Sequence, residues 1–300
     1  MSAQLDEIKS YLSRSRCVTC GETLTLGNLV PTVFRACRGK ERLVVKIGSS
    51  LRAAQEVRMN CAGYEAMRKI GAGNLVPGLL EYLEFRGVPI LVMEDCGPDF
   101  WHAVQVAPDP VRLYTQLLWN MEPVYATTRR CGDGEAYLNS LRDRLIRQYE
   151  THLFSLVGVE LVSELRRLPL RQLVPSTLCF SSFDFTPEDV FLTDKGVKFA
   201  DPLPEVLGVP IVDLACFGGV ARDAHHLPGS EEGYRQIQIF ALGELPSLLE
   251  LTERQAERLF AFGRALQCAL SARFRLQSEP ESADTLAKMS RSFLQEFMRT

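Results

Sequence analysis

The feature that most constrains this chain is the segment 181–202, in which three carboxylates flank two short apolar runs. One carboxylate lies in the loop before the first run, one directly precedes that run, and one directly follows the second run; they are Asp184, Asp189 and Asp201. The turn signal 194–196 between the runs predicts a tight hairpin. Because such a turn brings the chain back on itself, Asp189 and Asp201 are expected at the same end of the hairpin.

Three carboxylates near one point repel each other unless a cation lies between them. Mg²⁺ is the expected cation, because it prefers oxygen ligands and bridges carboxylates to phosphates. The segment therefore predicts a Mg²⁺ site.

The pattern of the chain changes near residue 96. Before that point, strand-like runs at 32–37 and 43–47 predict a hairpin, a period of three to four residues predicts a helix over 51–70, and two further strands are expected at 78–82 and 88–93. After it, helical patterns prevail, and they are expected at 110–130, 135–157, 232–250, 252–275 and 283–298. We therefore expect an α+β protein with a small β-rich N-terminal part, 1–95, and a larger, mostly helical C-terminal part, 96–300, joined at a hinge over 94–98.

Composition excludes several classes of protein. The 300 residues are 46% hydrophobic and 24% charged, which is typical of a globular protein. No apolar run is long enough to cross a bilayer, the first 16 residues lack the apolar core of a secretory signal, and a net charge of −3 does not suggest a nucleic-acid partner. We therefore expect a cytoplasmic protein with no membrane and no nucleic acid among its partners.

Nine cysteines are present, and most of them are isolated in sequence. Reduced, unpaired cysteine is the expected state in a cytoplasmic protein. Cys17 and Cys20 have the spacing of a zinc-binding pair, but a structural zinc site usually needs a second pair and none follows. A zinc site is therefore not expected.

The segment 181–202 resembles the catalytic loop and metal-binding hairpin of the aminoglycoside phosphotransferase and choline kinase family, within the protein-kinase-like superfamily. That family reads His-Gly-Asp-x-x-x-x-Asn, then strand, turn, strand and Asp. In this chain, residues 182–184 correspond to His-Gly-Asp, with Asp184 as the aspartate. Asp189 corresponds to the asparagine, and Asp201 corresponds to the second metal-binding aspartate. Residues 208–215 are similar to the family's Gly-x-Pro-x-x-Asp-Leu-Ala segment, in which the aspartate, here Asp213, anchors the catalytic loop.

The resemblance extends to the N-terminal part. Lys46 ends the run 43–46, which looks like the strand whose lysine holds ATP phosphates in the superfamily. A helix glutamate should in turn hold this lysine. Two candidates follow in the next helix, and Glu65 is preferred to Glu56 because Glu56 lies near the start of the helix.

Two further nucleotide contacts are expected from the same resemblance. The turn 26–31 resembles the phosphate-covering loop, and its candidates are Gly27 and Asn28. Met93 and Glu94 lie where a hinge would offer backbone groups to adenine. The resemblance therefore implies a two-lobe, protein-kinase-like fold that binds ATP, with GTP as the alternative, together with Mg²⁺.

Two residues depart from the family pattern. Ser182 replaces the loop histidine, which weakens support of the loop without removing its chemistry. Asp189 replaces the metal asparagine, so it cannot donate a hydrogen bond to Asp184 and it adds negative charge beside it.

The activity implied by the resemblance is phosphoryl transfer to a small-molecule hydroxyl, with Asp184 as the base that accepts the hydroxyl proton. A cationic acceptor, such as an amino sugar or amino alcohol, would suit an acidic lining, for which the candidates are Glu205, Asp223, Glu231 and Glu232. His225 and His226 are interpreted as an exposed loop pair. Two alternatives remain open: a catalytically impaired pseudokinase or binding module, which the departures favour, and a protein kinase, which the short 201–213 interval disfavours.

Overall fold

In a computed structural model of the chain, the residues described are 2–25, 30–153, 158–168, 170–173, 175–181 and 186–298. They form two compact units. The first consists of Met1–Gly97 and Phe191–Val206, and the second of Pro98–Val190 and Leu207–Thr300. The segment 191–206, which was expected with the C-terminal part, thus groups with the first unit.

A five-stranded antiparallel sheet forms the centre of the first unit. Its strands are β1 (Thr19–Thr25), β2 (Thr32–Arg38), β3 (Glu41–Ile47), β4 (Leu79–Phe85) and β5 (Val88–Glu94), in the spatial order β1-β2-β3-β5-β4. The predicted β2–β3 hairpin is confirmed, with Phe34 opposite Val45. Gly39 in its turn has a φ of 62°, which glycine adopts without a steric penalty.

Two helices flank this sheet, α1 (Ser2–Arg16) and α2 (Leu51–Lys69). On α1, Leu5, Ile8 and Leu12 are buried in one apolar cluster with strand residues of the sheet. Burial of each such side chain contributes about 1.5–3 kcal/mol. The predicted helix over 51–70 is confirmed as α2, whose first turn is capped by the Ser50 hydroxyl, which accepts a hydrogen bond from the Ala53 amide.

The second unit is mostly helical. Its longer helices are α3 (Phe100–Val106), α4 (Pro110–Thr128), α5 (Gly134–Gln148), α6 (Val159–Arg167), α7 (Pro210–Gly219), α8 (Ser230–Gly243), α10 (Glu253–Arg275) and α11 (Pro280–Met298), and α9 (Leu245–Leu249) is a single short turn. Among the described residues, no helix is both long and apolar enough to cross a membrane.

Most helix predictions are confirmed, and two differ in length for physical reasons. The helix expected over 232–250 is divided between α8 and α9, since Pro246 lacks the N–H that a continuous helix would use. The helix expected over 135–157 ends at Gln148 and continues as the π-helical turn Tyr149–Leu153, beyond which 154–157 lie outside the described residues.

Short strands complete the two units. β6 (Arg130–Cys131), β7 (Thr177–Phe180) and β10 (Leu207–Gly208) form a sheet in the order β10-β7-β6. The predicted hairpin in 181–202 is confirmed as β8 (Val190–Thr193) and β9 (Gly196–Phe199). Directly after it, Asp201 has a φ of 51°, in the left-handed region that non-glycine residues occupy at a cost of about 1 kcal/mol.

Candidate active site

The Lys46 ammonium is the centre of the site in the first unit. Lys46 lies on β3, opposite Val33 of β2 and Leu91 of β5, so its backbone is fixed between two strands. Its side chain is only 4% exposed. Burial disfavours the charge, but the carboxylates of Asp201 and Glu56 outweigh this effect and raise the pKa of Lys46. The lysine is therefore a buried, charged group.

Three oxygen atoms surround this ammonium. Lys46 Nζ lies 2.6 Å from Asp201 Oδ2, 2.8 Å from Asn60 Oδ1 and 3.0 Å from Glu56 Oε1. The contact between Lys46 and Asp201 joins residues 155 positions apart, so it is a product of the tertiary fold. The structure thus brings together two predicted site residues that lie far apart in the sequence.

The expected pairing of Lys46 with Glu65 is wrong, since Glu56 makes this contact and Glu65 is exposed. The reason is helical geometry. The separation of nine positions between the two glutamates corresponds to a rotation of about 900°, which places them on opposite faces of α2. Glu56 shares its face with Asn60, four residues later, and this face points towards Lys46.

Asp201 is fixed by its backbone surroundings as well as by Lys46. The residue after it, Pro202, lies so close to α2 that only glycine fits at position 63: a Cβ there would lie 1.9 Å from the Pro202 carbonyl oxygen. The Asp201 side chain remains 40% exposed. It therefore combines a fixed backbone with carboxylate oxygen that solvent and ligands can reach.

The predicted hinge residues, Met93 and Glu94, are the last two residues of β5. Met93 is buried, and its sulfur accepts a hydrogen bond from the Tyr64 hydroxyl at 2.9 Å. The Glu94 carboxylate accepts from the Gly78 amide at 3.0 Å and pairs with the Lys198 ammonium of β9. Burial opposes ionisation of Glu94, but these partners lower its pKa. The Glu94 backbone amide donates a hydrogen bond to the Gly78 carbonyl, so its N–H already has a partner within the first unit.

In the second unit, Asp189 ends a 3₁₀ turn, Pro187–Asp189. Its carboxylate accepts a hydrogen bond from the Thr186 hydroxyl at 2.6 Å. The neighbouring Glu188 pairs with His225 Nε2 at 2.8 Å, and although burial opposes its ionisation, His225 lowers the pKa of Glu188. The His225 ring also lies 5.7 Å from the Trp101 ring, so this histidine is a packed residue rather than a solvated loop residue.

Asp213 has the surroundings of an anchor. Its Oδ2 accepts a hydrogen bond from the Ser181 hydroxyl at 2.7 Å, and the Tyr137 hydroxyl lies 3.1 Å from the same Ser181 oxygen. Gly208 makes room for this cluster, because a Cβ there would lie 2.6 Å from Ser181 Oγ. Asp213 thus holds Ser181, the residue directly before the predicted catalytic loop.

Three predicted site residues cannot be placed. Asp184 of the catalytic loop and Gly27 and Asn28 of the phosphate-covering turn lie outside the described residues. Within the described part of the chain, no cluster of three or more His, Cys, Asp or Glu residues has the arrangement of a metal site. The predicted carboxylate set includes Asp184, which lies outside this part of the chain.

The four acidic candidates for an acceptor site do not form an unpaired acidic lining. Asp223 pairs with Arg222 at 2.8 Å and with the fully buried Arg264, and Glu232 pairs with Arg235 at 2.6 Å. Glu205 and Glu231 are exposed. The charges of Asp223 and Glu232 are therefore balanced by arginines, and the four candidates do not argue for a cationic acceptor.

Sequence reasoning missed two residues of the site, Asn60 and Lys198. Asn60 carried a usable signal, because it is a polar residue in the apolar stripe of α2 that contains Val57 and Tyr64. A buried amide in such a stripe requires a hydrogen-bonding partner. Lys198 carried no comparable signal, since its partner Glu94 is 104 residues away.

Comparison with solved structures identifies the fold. A protein assigned as a fructosamine-3-kinase from Haemophilus somnus aligns with a TM-score of 0.62 at 10% identity, over 96% of each chain. A choline/ethanolamine kinase family protein from Mesorhizobium loti aligns with a TM-score of 0.56 at 15% identity, over 99% of this chain and 95% of that one.

A third neighbour is a spectinomycin phosphotransferase, solved with ADP and spectinomycin. It aligns with a TM-score of 0.50 at 12% identity, over 97% of this chain and 98% of that one. No family model matches the sequence, and no curated protein matches it. The chain has the protein-kinase-like fold that these small-molecule kinases share, so the fold that the sequence resemblance implied is confirmed.

Proposed function

We propose that this protein is a small-molecule phosphotransferase that transfers the γ-phosphoryl group of a nucleoside triphosphate to a hydroxyl group. The observation that carries the proposal is the buried Lys46 ammonium, charged and in contact with Asp201 at 2.6 Å. A cation that binds phosphate oxygens then lies beside a carboxylate that binds a metal ion. The neighbours that share this fold are kinases of small molecules, which supports the same reaction class here.

Each role is assigned to a residue of this chain. Lys46, held by Glu56, binds the nucleotide phosphates. Asp201 and Asp189 are proposed as the Mg²⁺ ligands, as the sequence resemblance implies, because carboxylate oxygen is the ligand type that this ion prefers. When bound, Mg²⁺ would neutralise part of the phosphate charge. Asp184 orients the acceptor hydroxyl and accepts its proton.

The nucleotide is proposed to be ATP, with GTP as the alternative. The spectinomycin phosphotransferase of the same fold was solved with ADP, which supports an adenine nucleotide. The acceptor is proposed to be a small molecule, because the neighbours act on such compounds. We also propose that Met93 and Glu94 border the base, as the sequence resemblance implies, and that Gly27 and Asn28 cover the phosphates.

A second candidate is a nucleotide-binding module without turnover. The observation that favours it is the replacement of the family's loop histidine and metal asparagine by Ser182 and Asp189. Under this alternative the nucleotide still binds, but no phosphoryl group is transferred.

The test is thermal unfolding of the whole chain with ATP or GTP, each with and without Mg²⁺. A ligand that binds only the folded state at 100 times its Kd stabilises it by about 2.7 kcal/mol. We expect a Mg²⁺-dependent rise in Tm that Asp201→Asn abolishes. Asp194→Asn is the matched control, because Asp194 is an exposed turn residue of the same hairpin and its loss should leave the rise unchanged. No rise with either nucleotide in a well-folded sample would contradict the proposal.

A further inference from the structure

The hydrogen-bonding capacity of the Lys46 ammonium is fully used. A lysine ammonium has three N–H donors and no acceptor. Its three acceptors here are Asn60 Oδ1, Asp201 Oδ2 and Glu56 Oε1, at 2.8, 2.6 and 3.0 Å. A phosphate oxygen can therefore bind Lys46 Nζ only if one of these acceptors gives up its hydrogen bond.

The three acceptors differ in how easily they can leave. Asp201 and Glu56 are 40% and 38% exposed, so water can replace Lys46 at either carboxylate. Asn60 is 1% exposed. If its carbonyl oxygen lost Lys46, it would remain buried and unpaired, which is unfavourable. Asn60 is therefore the acceptor that stays.

Asn60 is also a fixed point. It belongs to α2, one helical turn after Glu56 and within the buried stripe that includes Val57 and Tyr64. A side chain locked by packing on a helix holds its partner more precisely than one on a loop. Because the amide is neutral, it holds the ammonium without a third negative charge that would compete with a phosphate for the lysine.

We propose that Asn60 is a positioning residue that keeps Lys46 Nζ in place when Asp201 turns from the lysine to a metal ion. The N–H that Asp201 releases then points in a defined direction and is available to a phosphate oxygen. Asn60 acts through Lys46 and does not touch the nucleotide. This inference rests on the proposed function in its binding step, but the hold of Asn60 on Lys46 is a property of the free protein and is tested separately.

The first test measures the free protein. An amine-reactive reagent labels lysines of the whole chain, and mass spectrometry follows each site over time. We expect Lys46 to be labelled about tenfold faster in Asn60→Ala than in the wild type, while the exposed Lys195 is labelled at the same rate in both. An unchanged rate at Lys46 would overturn the proposal. If Asn60→Ala does not fold, Asn60→Asp keeps the acceptor oxygen and is expected to leave Lys46 as protected as in the wild type; faster labelling there would overturn the proposal.

The second test measures binding by a double-mutant cycle. A hydrogen bond to a charged group contributes enough to change affinity about tenfold or more. We expect Asn60→Ala to weaken Mg²⁺–ATP binding about tenfold and to leave adenosine binding unchanged, because adenosine has no phosphate. In the Lys46→Met background the same substitution should change the ATP Kd less than twofold. Equal losses in both backgrounds, or an equal loss for adenosine, would show a merely structural role and overturn the proposal.

The two proposals fail in different ways. A wild-type protein that binds no nucleotide, but whose Lys46 becomes reactive in Asn60→Ala, contradicts the proposed function and supports the hold of Asn60 on Lys46. A wild-type protein that binds Mg²⁺–ATP, with an unaffected Asn60→Ala variant in both tests, supports the function and overturns the role of Asn60.

Discussion

Replacement of Gly63 by alanine tests the packing that fixes Asp201. Gly63 lies on the buried face of α2, where a Cβ would be 1.9 Å from the Pro202 carbonyl oxygen and 2.4 Å from its carbon. Ordinary contact begins near 3.4 Å, so the backbone at 202 must move by about 1.5 Å to reach it. The obstacle is backbone rather than a side chain, so no change of rotamer relieves it. Since Asp201 directly precedes this residue, its carboxylate should move away from Lys46.

Two opposing effects set the expected loss of stability. Overpacking of a well-packed site costs about 1–3 kcal/mol, and the upper end applies because backbone has to shift. Alanine in place of glycine within a helix increases the free energy of unfolding by about 1 kcal/mol. The net decrease in the free energy of unfolding is therefore about 2 kcal/mol. At about 2–4 °C per kcal/mol, the Tm should fall by about 4–8 °C.

Thermal unfolding and nucleotide titration of Gly63→Ala measure both consequences. The matched control is Gly243→Ala on α8, because Gly243 also lies in a helix but has nothing within 4 Å of the position of an added Cβ. The control should be neutral or stabilised by up to about 1 kcal/mol, with unchanged nucleotide affinity. If Gly63→Ala unfolds at or above the temperature of the wild type, the close approach of α2 to Pro202 does not exist as described.

Other predictions concern the second unit. Asp223→Ala should lower the free energy of unfolding by about 3 kcal/mol, measured by chemical denaturation, because it leaves the fully buried Arg264 without its carboxylate; a loss below about 1 kcal/mol would contradict this. Burial opposes ionisation of Asp223, but its arginine partners lower its pKa in the folded state below 3.8. The charged carboxylate therefore stabilises the fold fully above about pH 3.8, and this stabilisation is lost as the pH falls through the pKa of the folded state. The stability of Asp223→Asn should therefore decline less steeply than that of the wild type below about pH 4, and parallel acid titrations would contradict the assignment. Gly208→Ala places a Cβ 2.6 Å from Ser181 Oγ and should destabilise the hydrogen bond from Ser181 to Asp213, with a lower Tm and slower turnover; an unchanged Tm would count against this cluster.

The elements that the sequence predicted well are those whose signals are local. The β2–β3 hairpin depends on alternating apolar residues and a glycine turn, and α2 depends on a period of three to four residues. The fold is indicated by the joint order of several motifs along the chain: Lys46, the segment 181–202 with its hairpin, and the segment 208–215 with Asp213. None of these features requires knowledge of which distant residues touch.

The features that the sequence did not predict depend on which face of a helix a residue occupies and on contacts between residues that are distant in sequence. Position along α2 favours Glu65 over Glu56 in the sequence, although the face of the helix decides which glutamate reaches Lys46. The role of Asn60 does not follow from the sequence, because a single polar residue in an apolar stripe shows that a partner exists without showing which one. Contacts such as Lys46 with Asp201 arise only from tertiary structure.

The central claim, phosphoryl transfer to a small molecule, is tested most directly by following the γ-phosphorus of labelled ATP. The whole protein is incubated with labelled ATP, Mg²⁺ and the small-molecule fraction of a cell extract, and the products are separated. The account predicts label in an organic phosphate ester, lost in Asp184→Asn although that variant still binds nucleotide, and retained in the control Asp194→Asn. A wild-type protein that binds Mg²⁺–ATP but forms neither ADP nor a labelled ester would contradict the account and support a binding module.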